Sequence, residues 1–355
     1  MMKIAVIAHG LSSGGAERVA AILANRLAAR GHEVLFLAAY SPEREYALDR
    51  RIRYEAVLPG RSAGLLRLYE RSVLLLRLVR EFRADAVFSF ITDALVPLVL
   101  SGIPVIPSLR TDPGRVQSRK LRGLIQTFVF HRAHAVVFQT EQARDFYGPA
   151  IRRKGAVIGN PLTPDLPDWD AANHRRVILA ACRLVPQKNL PMLMDAFVRF
   201  HKLHPDYTLE IYGEAESPAY LAELTRYRDS SGAADSVAFM GRSAAIHEVM
   251  KNSAAFVLSS DYEGLSNAML EALAIGVPTV STDSPPGGAR AYIIDGVNGA
   301  LVPVGDADAL CRALCRVAQS PDLMRAWSLN ARTVRGILGA DAICDQWIAL
   351  IPRRG

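Results

Sequence analysis

The chain has 355 residues, 50% hydrophobic and 22% charged, a globular composition that excludes a disordered or fibrous protein. Its net charge is +7, but residues 1–160 carry 24 Lys and Arg against 13 Asp and Glu, whereas the remainder carries 18 against 22. The basic N-terminal part favours an anionic partner such as phosphate, a membrane surface or nucleic acid; a well-solvated Arg-rich surface is the alternative.

The apolar run at 4–8 is shorter than the core of a signal peptide, which needs about 7–15 residues. No stretch approaches the roughly 18 apolar residues of a membrane span. The four cysteines form no C-x-x-C pair. We therefore expect a reduced protein of the cytoplasm.

Short apolar runs alternate with amphipathic helical patterns along the first half of the chain. The predicted strands are 3–8, 33–38, 86–90, 104–108 and 135–139, and the predicted helices include 16–30 and 64–82. This alternation predicts a parallel sheet covered by helices on both faces.

The first strand is followed by GLSSGG at 10–15, which fits three kinds of loop. A nucleophile elbow at Ser12 is disfavoured because that elbow follows several earlier strands of its fold. An NAD loop needs G-x-G-x-x-G and a carboxylate after the second strand, and neither is present. We favour a loop in which Gly14 and Gly15 open the mouth of a cleft and Gly15 begins a helix whose N–H groups attract an anion. A turn that needs glycine only for its backbone angles is the alternative.

The proline-rich stretch 160–176 is typical of a linker, and the alternation resumes after it. Strands are predicted at 176–181, 208–212, 237–240 and 254–258, and helices at 190–203, near 219–230 and from Ser266. The prediction is an α/β chain of two doubly wound Rossmann-like domains, 1–165 and 166–338, that face a central cleft. A C-terminal helix in 339–355 is predicted to pack back on the N-terminal domain.

Two charged pairs follow strands of the second half. Arg183 and Lys188 come directly after the strand VILAAC, where a planar fork and a point charge suit a diphosphate. Glu263 and Glu271 are eight positions apart around a turn in which Ser266 or Asn267 is a natural N-cap. Two carboxylates at that spacing can hold hydroxyls at the two ends of an extended ligand. A surface salt bridge and helix-dipole partners are the alternatives.

At these residues the chain resembles the family 4 retaining glycosyltransferases of the GT-B fold. The resemblance covers nearly the whole chain, through GGAERVAAILANRLAARGHEV, RLVPQKN, DYEGLSNAMLEALAIGVPTVSTD and DGVNGALVPVGDADAL. The segments around 183 and 263 are the most specific. The resemblance implies a nucleotide-sugar donor held mainly by the second domain and an acceptor held by the first.

The resemblance also implies roles for individual residues. Arg183 and Lys188 would bind the donor diphosphate, Glu271 the ribose and Glu263 the transferred sugar. The implied donor-binding residues are Arg183, Lys188, Gly213, Glu263, Gly264, Leu265, Ser266, Asn267 and Glu271, and Gly14 and Gly15 would border the acceptor and phosphates. The departing phosphate would help to deprotonate the acceptor, so that stabilisation of the leaving group matters more than a protein nucleophile.

Two segments depart from the family pattern. The predicted strand at 104–108 runs into LRTDP, where many relatives carry a histidine. This segment resembles a branch that assembles bacterial surface or lipid-linked glycans, often with UDP-hexosamine or UDP-hexose donors. Arg110 and Asp112 are therefore acceptor-side and catalytic candidates. Gly213-Glu214-Ala215 stands where many relatives have Gly-x-Gly, so the nucleotide contacts there do not transfer in detail.

Further patterns bear on metals, membranes and nucleic acid. The D-x-D matches at 168–170 and 306–308 lie in the linker and at a helix start, where an N-cap is the better explanation, so no obligatory metal is expected. Residues 64–83 interleave Arg with Leu, Val, Tyr and Phe, and with 118–123 they predict contact with an anionic membrane. The alternative is a buried helix with Arg at its rim. No aromatic-rich basic motif supports nucleic-acid binding.

The sequence thus predicts a retaining enzyme that moves a hexose or N-acetylhexosamine from a nucleoside diphosphate sugar, with a UDP-sugar as the expected donor, to a glycan or lipid-linked acceptor. It would act in cell-surface polysaccharide or glycoconjugate synthesis, in the cytoplasm or at the inner face of the membrane. The alternatives are a nucleotide-sugar epimerase or hydrolase on the same frame and a non-catalytic protein that binds sugar nucleotides.

Overall fold

A computed structural model describes residues 1–12, 14–58, 60, 64–118 and 120–352 of the chain. It divides into two compact units. The N-terminal unit comprises Met1–Pro161 with Leu338–Gly355, and the C-terminal unit comprises Leu162–Ile337.

The N-terminal unit contains a parallel sheet flanked by helices. Its strands are β1 (Lys3–Ala8), β2 (Glu33–Ala38), β3 (Arg53–Ala56), β4 (Ala86–Ser89), β5 (Val105–Pro107), β6 (Val136–Phe138) and β7 (Gly155–Val157). Its helices before the linker are α1 (Gly15–Ala29), α2 (Gly64–Phe82), α3 (Val96–Val99), α4 (Pro113–Gln117), α5 (Lys120–Arg132), α6 (Glu141–Asp145) and α7 (Pro149–Arg152). The strand order is β3-β2-β1-β4-β5, and a bridge between Ser108 and Val137 leads on to the parallel pair β6-β7.

Hydrophobic runs form the centre of this sheet. Every residue from Ile4 to Ala8 in β1 is fully buried, as expected for a parallel strand covered on both faces. The bounds of β1, β2 and α2 are those predicted from the sequence. The sequence did not predict β3 and β7, because β3 is a short edge strand with two charged residues and β7 has only three residues.

The C-terminal unit repeats the same plan. Its strands are β8 (Arg175–Ala181), β9 (Thr208–Tyr212), β10 (Val237–Gly241), β11 (Ser253–Leu258), β12 (Thr279–Thr282) and β13 (Ala300–Val302). Its helices are α8 (Leu190–His201), α9 (Pro218–Ser230), α10 (Ile246–Lys251), α11 (Asn267–Ile275), α12 (Ala307–Gln319), α13 (Pro321–Ala331) and α14 (Val334–Leu338). All six strands are parallel, in the order β10-β9-β8-β11-β12-β13. The predicted class, α/β with doubly wound parallel sheets, is confirmed.

The strand order of each sheet reverses direction at one point. In the N-terminal unit the reversal lies between β1 and β4, and in the C-terminal unit it lies between β8 and β11. Ligands of doubly wound sheets bind beyond the carboxyl ends of the strands at such a point. The loops after these four strands are therefore the places to look for a site.

The linker and the last helix are both anchored by packing. Trp169 in the linker is buried, and its Nε1 donates to the carbonyl of Ser253 at 2.8 Å. Helix α15 (Ala340–Ala349) returns to the N-terminal unit, where Trp347 packs against Phe88 and Phe90. Arg30, the residue that caps the C-terminus of α1, pairs with Asp341 and Asp345 of α15.

Candidate active site

Two loops of the C-terminal unit, after β8 and after β11, are held together by hydrogen bonds. A 3₁₀ turn at Pro186–Lys188 leads to Asn189, which adopts a left-handed backbone conformation and caps α8. The Asn189 amide also donates to Asp261 at 2.7 Å, and Gln187 donates to the carbonyl of Tyr262 at 2.7 Å. These contacts fix the first loop against the second, so the side chains that each carries are preorganised.

Lys188 and Glu263 form an ion pair across these loops. Lys188 is only 9% exposed, and Ser260 donates to the same Glu263 oxygen at 3.3 Å. A cation this deeply placed needs a partner, because the low dielectric of the interior penalises an unpaired charge. Glu263 therefore neutralises Lys188 in this state.

Arg183 begins the same loop as Lys188, directly after Cys182, and is exposed. Burial raises the pKa of the adjacent Cys182 thiol to about 11, and the charges of Lys188, Glu263 and Arg183 all act on that thiol. Arg183 and Lys188 thus lie in the loop that follows β8, and Glu263 joins Lys188 there through the ion pair. No side chain in the described part of the chain bonds to Arg183, so its guanidinium can accept an incoming anion.

The turn that follows Glu263 starts helix α11. The backbone N–H of Glu263 donates to the carbonyl of Pro285 at 2.9 Å, and Gly264 and Leu265 are buried. Ser266 is the N-cap, because its hydroxyl accepts from the N–H of Met269 at 3.3 Å, and Asn267 is the first helical residue. The predicted N-cap is confirmed. The helix, with the free N–H groups of its first turn, thus begins four residues after Glu263.

Glu271 lies in the second turn of α11 and is 2% exposed. Thr163 of the linker donates to one carboxylate oxygen at 2.7 Å, and His247 Nε2 lies 3.2 Å from the other. The carboxylate is therefore held by the Thr163 hydroxyl, with the His247 ring close to its second oxygen. Thr163 and His247 were missed by sequence reasoning, and no local pattern could have indicated them, because they meet Glu271 only through the fold.

Gly213 directly follows β9, and a steric constraint explains why this position is a glycine. Its φ of 138° is a conformation that side chains disfavour, and a Cβ there would overlap the carbonyl oxygen of Cys182. The close approach of β9 and β8 alone therefore accounts for a glycine at this position.

In the N-terminal unit, Arg110 and Asp112 follow β5. The Arg110 guanidinium bonds to Asn160 and lies over the ring of Phe90, 4.8 Å from its centroid, with Trp347 at 5.9 Å. Asp112 is the N-cap of α4 and accepts from the N–H of Gly114 at 3.0 Å. Arg110 is thus fixed at the carboxyl edge, whereas Asp112 has a local structural role.

Gly14 and Gly15 mark the start of α1. Gly14 is the N-cap and Gly15 the first helical residue. The carboxylate of Glu17 lies so close to Gly14 that a Cβ there would overlap it. A negative group of the chain itself thus already lies at this helix start, and an incoming anion would have to displace it.

Both D-x-D matches have structural roles. Asp306 caps α12 by accepting from Ala309 at 2.8 Å, as predicted, and Asp170 accepts from the N–H groups of Ala172 and Asn173 at 3.0 Å. Among the residues that the structure describes, no three His, Cys, Asp or Glu side chains are grouped to hold a metal ion. The four cysteines are free.

Comparison with known proteins supports the resemblance to glycosyltransferases along almost the whole chain. The family model described as Glycosyltransferase Family 4 matches residues 13–166, and that described as Glycosyl transferases group 1 matches 165–334. The chain belongs to glycosyltransferase family 4. As a member of this family it is a glycosyltransferase, and the predicted family is confirmed.

Two relatives of this glycosyltransferase align with it over nearly their full length. An uncharacterized glycosyltransferase of Haemophilus influenzae is 24% identical over 348 residues, covering 96% of this chain and 97% of the relative. The Campylobacter jejuni GalNAc-alpha-(1->4)-GalNAc-alpha-(1->3)-diNAcBac-PP-undecaprenol alpha-1,4-N-acetyl-D-galactosaminyltransferase is 25% identical over 362 residues, covering 99% and 98%. The crystal structure of Anabaena Alr3699/HepE in complex with UDP and glucose superposes with a TM-score of 0.82 at 20% identity, covering 98% and 99%. The fold is GT-B.

Proposed function

We propose that this glycosyltransferase moves a hexose or N-acetylhexosamine from a UDP-sugar to a glycan or lipid-linked acceptor, with retention at the anomeric carbon. Its products would belong to cell-surface polysaccharides or glycoconjugates. The observation that carries the proposal is the cationic group at the end of β8, where Lys188 is paired with Glu263 and Arg183 is exposed. The UDP and glucose bound by the Anabaena structure and the undecaprenol-linked acceptor named for the Campylobacter relative support the choice of substrates.

The donor diphosphate would take the place of Glu263 as the partner of Lys188. A diphosphate brings more negative charge than one carboxylate, and Arg183 can bind its oxygens through two parallel N–H donors. Glu263, once released from Lys188, would accept hydrogen bonds from hydroxyls of the transferred sugar. The ion pair of the free enzyme thus becomes two separate ligand contacts.

The nucleotide end of the donor would be recognised by Glu271. A buried carboxylate that is already oriented by Thr163 can accept hydrogen bonds from both ribose hydroxyls with little further ordering. This contact would fix the donor at the end remote from the reacting carbon.

The transfer step depends on the leaving group. As the bond to the diphosphate breaks, negative charge develops on its oxygen beside Lys188, Arg183 and the first N–H groups of α11, which stabilise it. A phosphate oxygen takes the acceptor proton as the acceptor oxygen bonds to the anomeric carbon from the same face. These protein cations supply the charge that a divalent metal would otherwise provide, so no obligatory metal is needed.

The acceptor would be held by the N-terminal unit. Arg110 is the candidate for direct contact, because aromatic rings and Asn160 fix it at the carboxyl edge of the sheet. Asp112 would act through the start of α4, and Gly14 and Gly15 would let the acceptor and phosphates approach the backbone.

The test is turnover of a panel of UDP-, GDP- and dTDP-sugars with and without lipid-linked acceptors, with product configuration determined by NMR. The proposal predicts transfer from a UDP-sugar, an axial product linkage from an axial donor, and little turnover without acceptor. Efficient conversion of the donor alone would favour an epimerase or hydrolase. Binding without any turnover would favour a non-catalytic protein.

We also propose that α2 contacts an anionic membrane, where a lipid-linked acceptor would reside. The exposed large apolar side chains of α2 are those of Leu65, Leu66, Tyr69 and Val73, and they lie within an arc of about 100° around the helix axis. The other face of α2 is buried against the sheet. Arg80 lies on the same exposed side, so apolar contact and charge act together. In the part of the chain that the structure describes, no helix is both long and apolar enough to span a bilayer. Arg119, in the second basic segment, lies outside the described residues.

Vesicle flotation tests this contact. Wild-type protein should float with vesicles that contain anionic lipid and less with neutral ones, and Leu66→Glu should reduce flotation. Leu203→Glu, which changes an exposed leucine of the C-terminal unit, is the matched control. Equal recovery with neutral and anionic vesicles would contradict the proposal.

A further inference from the structure

Arg71 of α2 is a buried cation. It is 7% exposed, its Nε donates to the carbonyl of Ala39 at 2.6 Å, and its guanidinium carbon lies 3.9 Å from the ring centroid of Tyr40. Across the described ranges of the chain, no carboxylate pairs with it. Burying an arginine without a negative partner is unfavourable, so an anion bound from outside the chain would stabilise this arrangement.

The Arg71 guanidinium and the neighbouring Tyr40 hydroxyl both carry hydrogen-bond donors that can serve a ligand. The Nε–H serves the Ala39 carbonyl, which leaves the N–H groups of the two terminal nitrogens. The Tyr40 hydroxyl is buried, and both the Arg71 guanidinium and the Asp93 carboxylate act on it. Burial raises the pKa of Tyr40 above its usual value, and the nearby Asp93 carboxylate raises it further. The hydroxyl therefore stays protonated and can donate to an acceptor oxygen.

The position of this group is that of a ligand site. Tyr40 follows β2, and its ring stacks on that of His9, which follows β1, with centroids 4.9 Å apart. Asp93 follows β4. The point where the strand order reverses lies between β1 and β4, so the three side chains surround the place where a doubly wound sheet binds its ligand.

We propose that Arg71 and Tyr40 bind a phosphate group of the acceptor. The planar fork of arginine matches two phosphate oxygens, and the Tyr40 hydroxyl can donate to a third. The inference rests on the proposed glycosyl transfer and adds the substrate class, an acceptor that carries a phosphate ester or diphosphate. Such a group can come from a lipid carrier or from a soluble sugar phosphate.

Asp93 sets the polarity of this subsite. Its carboxylate acts on the Tyr40 hydroxyl and would repel a phosphate bound to that hydroxyl. A sugar hydroxyl beside the phosphate can instead donate to Asp93. Removing the Asp93 charge should therefore tighten phosphate binding.

Binding is measured by calorimetry with UDP at saturation, so that the donor site is filled. The probes are inorganic pyrophosphate, N-acetylglucosamine 1-phosphate and farnesyl diphosphate, at constant ionic strength. Arg71→Gln should weaken binding about tenfold or more, and Asp93→Asn should tighten it about threefold. Arg50→Gln, which removes an exposed charge from the same unit, is the control and should change nothing.

The outcomes separate the sources of phosphate and the two proposals. Binding of both organic probes supports a site for phosphate from either source, and binding of farnesyl diphosphate alone supports a lipid carrier. The proposal is overturned if wild type binds none of the probes, or if the affinity is unchanged in a folded Arg71→Gln protein. Should Arg71→Gln fail to fold, an unchanged affinity in Asp93→Asn overturns it. Failure of wild type to bind UDP would instead count against the proposed function.

Discussion

The carboxyl edges of the two sheets have the same topology but hold their cations differently. In the C-terminal unit, Lys188 is neutralised by Glu263, and hydrogen bonds join the two loops that carry them. In the N-terminal unit, Arg71 rests on an aromatic ring and a carbonyl, and no carboxylate in the described chain pairs with it. At the first edge the charge of Lys188 is neutralised until a ligand replaces Glu263, whereas at the second edge Arg71 keeps its charge for a ligand.

The largest effect is expected from removing the paired cation. Lys188→Ala leaves Glu263 without its partner and removes a charge that stabilises the leaving group, so kcat should fall by about 10²–10³. Steady-state kinetics with the donor identified by the panel measure this. Lys251→Ala removes a lysine at the end of α10 as the control. Activity of Lys188→Ala within about threefold of wild type would show that the pair is only structural.

The close approach of β8 and β9 predicts a large loss of stability when Gly213 is replaced by alanine. Gly213→Ala places a Cβ against the carbonyl of Cys182 at an unfavourable φ, so the free energy of unfolding should fall by about 3 kcal/mol or more. Gly232→Ala is the matched control, because Gly232 also has a positive φ but open space around it, and it should lose about 1 kcal/mol. Urea denaturation measures both. Equal losses would mean that β8 and β9 do not approach so closely.

A moderate effect is expected at the ribose end of the donor. Glu271→Gln should weaken UDP binding about tenfold and should reduce the preference for UDP over 2′-deoxy-UDP, because a neutral amide accepts hydroxyls less well. Thr163→Val should act in the same direction, by about threefold, through the lost hydrogen bond to the carboxylate. Calorimetric titration with the two nucleotides measures the preference, and Glu248→Gln of the exposed face of α10 is the control. An unchanged preference in Glu271→Gln would remove Glu271 from the ribose site.

The smallest effect is expected from metal removal. Because Lys188 and Arg183 neutralise the diphosphate in this account, EDTA should change turnover by less than about twofold. The assay is run before and after dialysis against EDTA, with readdition of Mg²⁺ and Mn²⁺. Loss of activity that either ion restores would show that the protein cations are insufficient.

The sequence predicted most of the sheet and only part of the site. Strands β1 and β9 have the predicted bounds because their hydrophobic runs are long and sharply bounded, whereas β3 is held at the sheet edge only by pairing with β2. The cluster at the end of β8 follows from local motifs. Its internal pairing does not, since Lys188 and Glu263 are 75 positions apart and meet only when β8 and β11 lie side by side.

Two further residues show where local patterns help and where they fail. The Asp112-Pro113 pair carries the signal of a helix start, an N-cap followed by proline, and could have indicated the capping role that the structure shows. Arg71 gave no such signal, since it is one of several arginines in α2 and only burial distinguishes it. Burial of a single residue on a helix rich in both Arg and Leu depends on the tertiary packing.

The most direct test is a structure of the enzyme with UDP bound. If the diphosphate replaces Glu263 as the partner of Lys188, the Lys188 Nζ will lie about 3 Å from a diphosphate oxygen and away from Glu263. Arg183 will contact the same diphosphate. A complex in which Lys188 still pairs with Glu263, while the diphosphate lies elsewhere, would contradict the account.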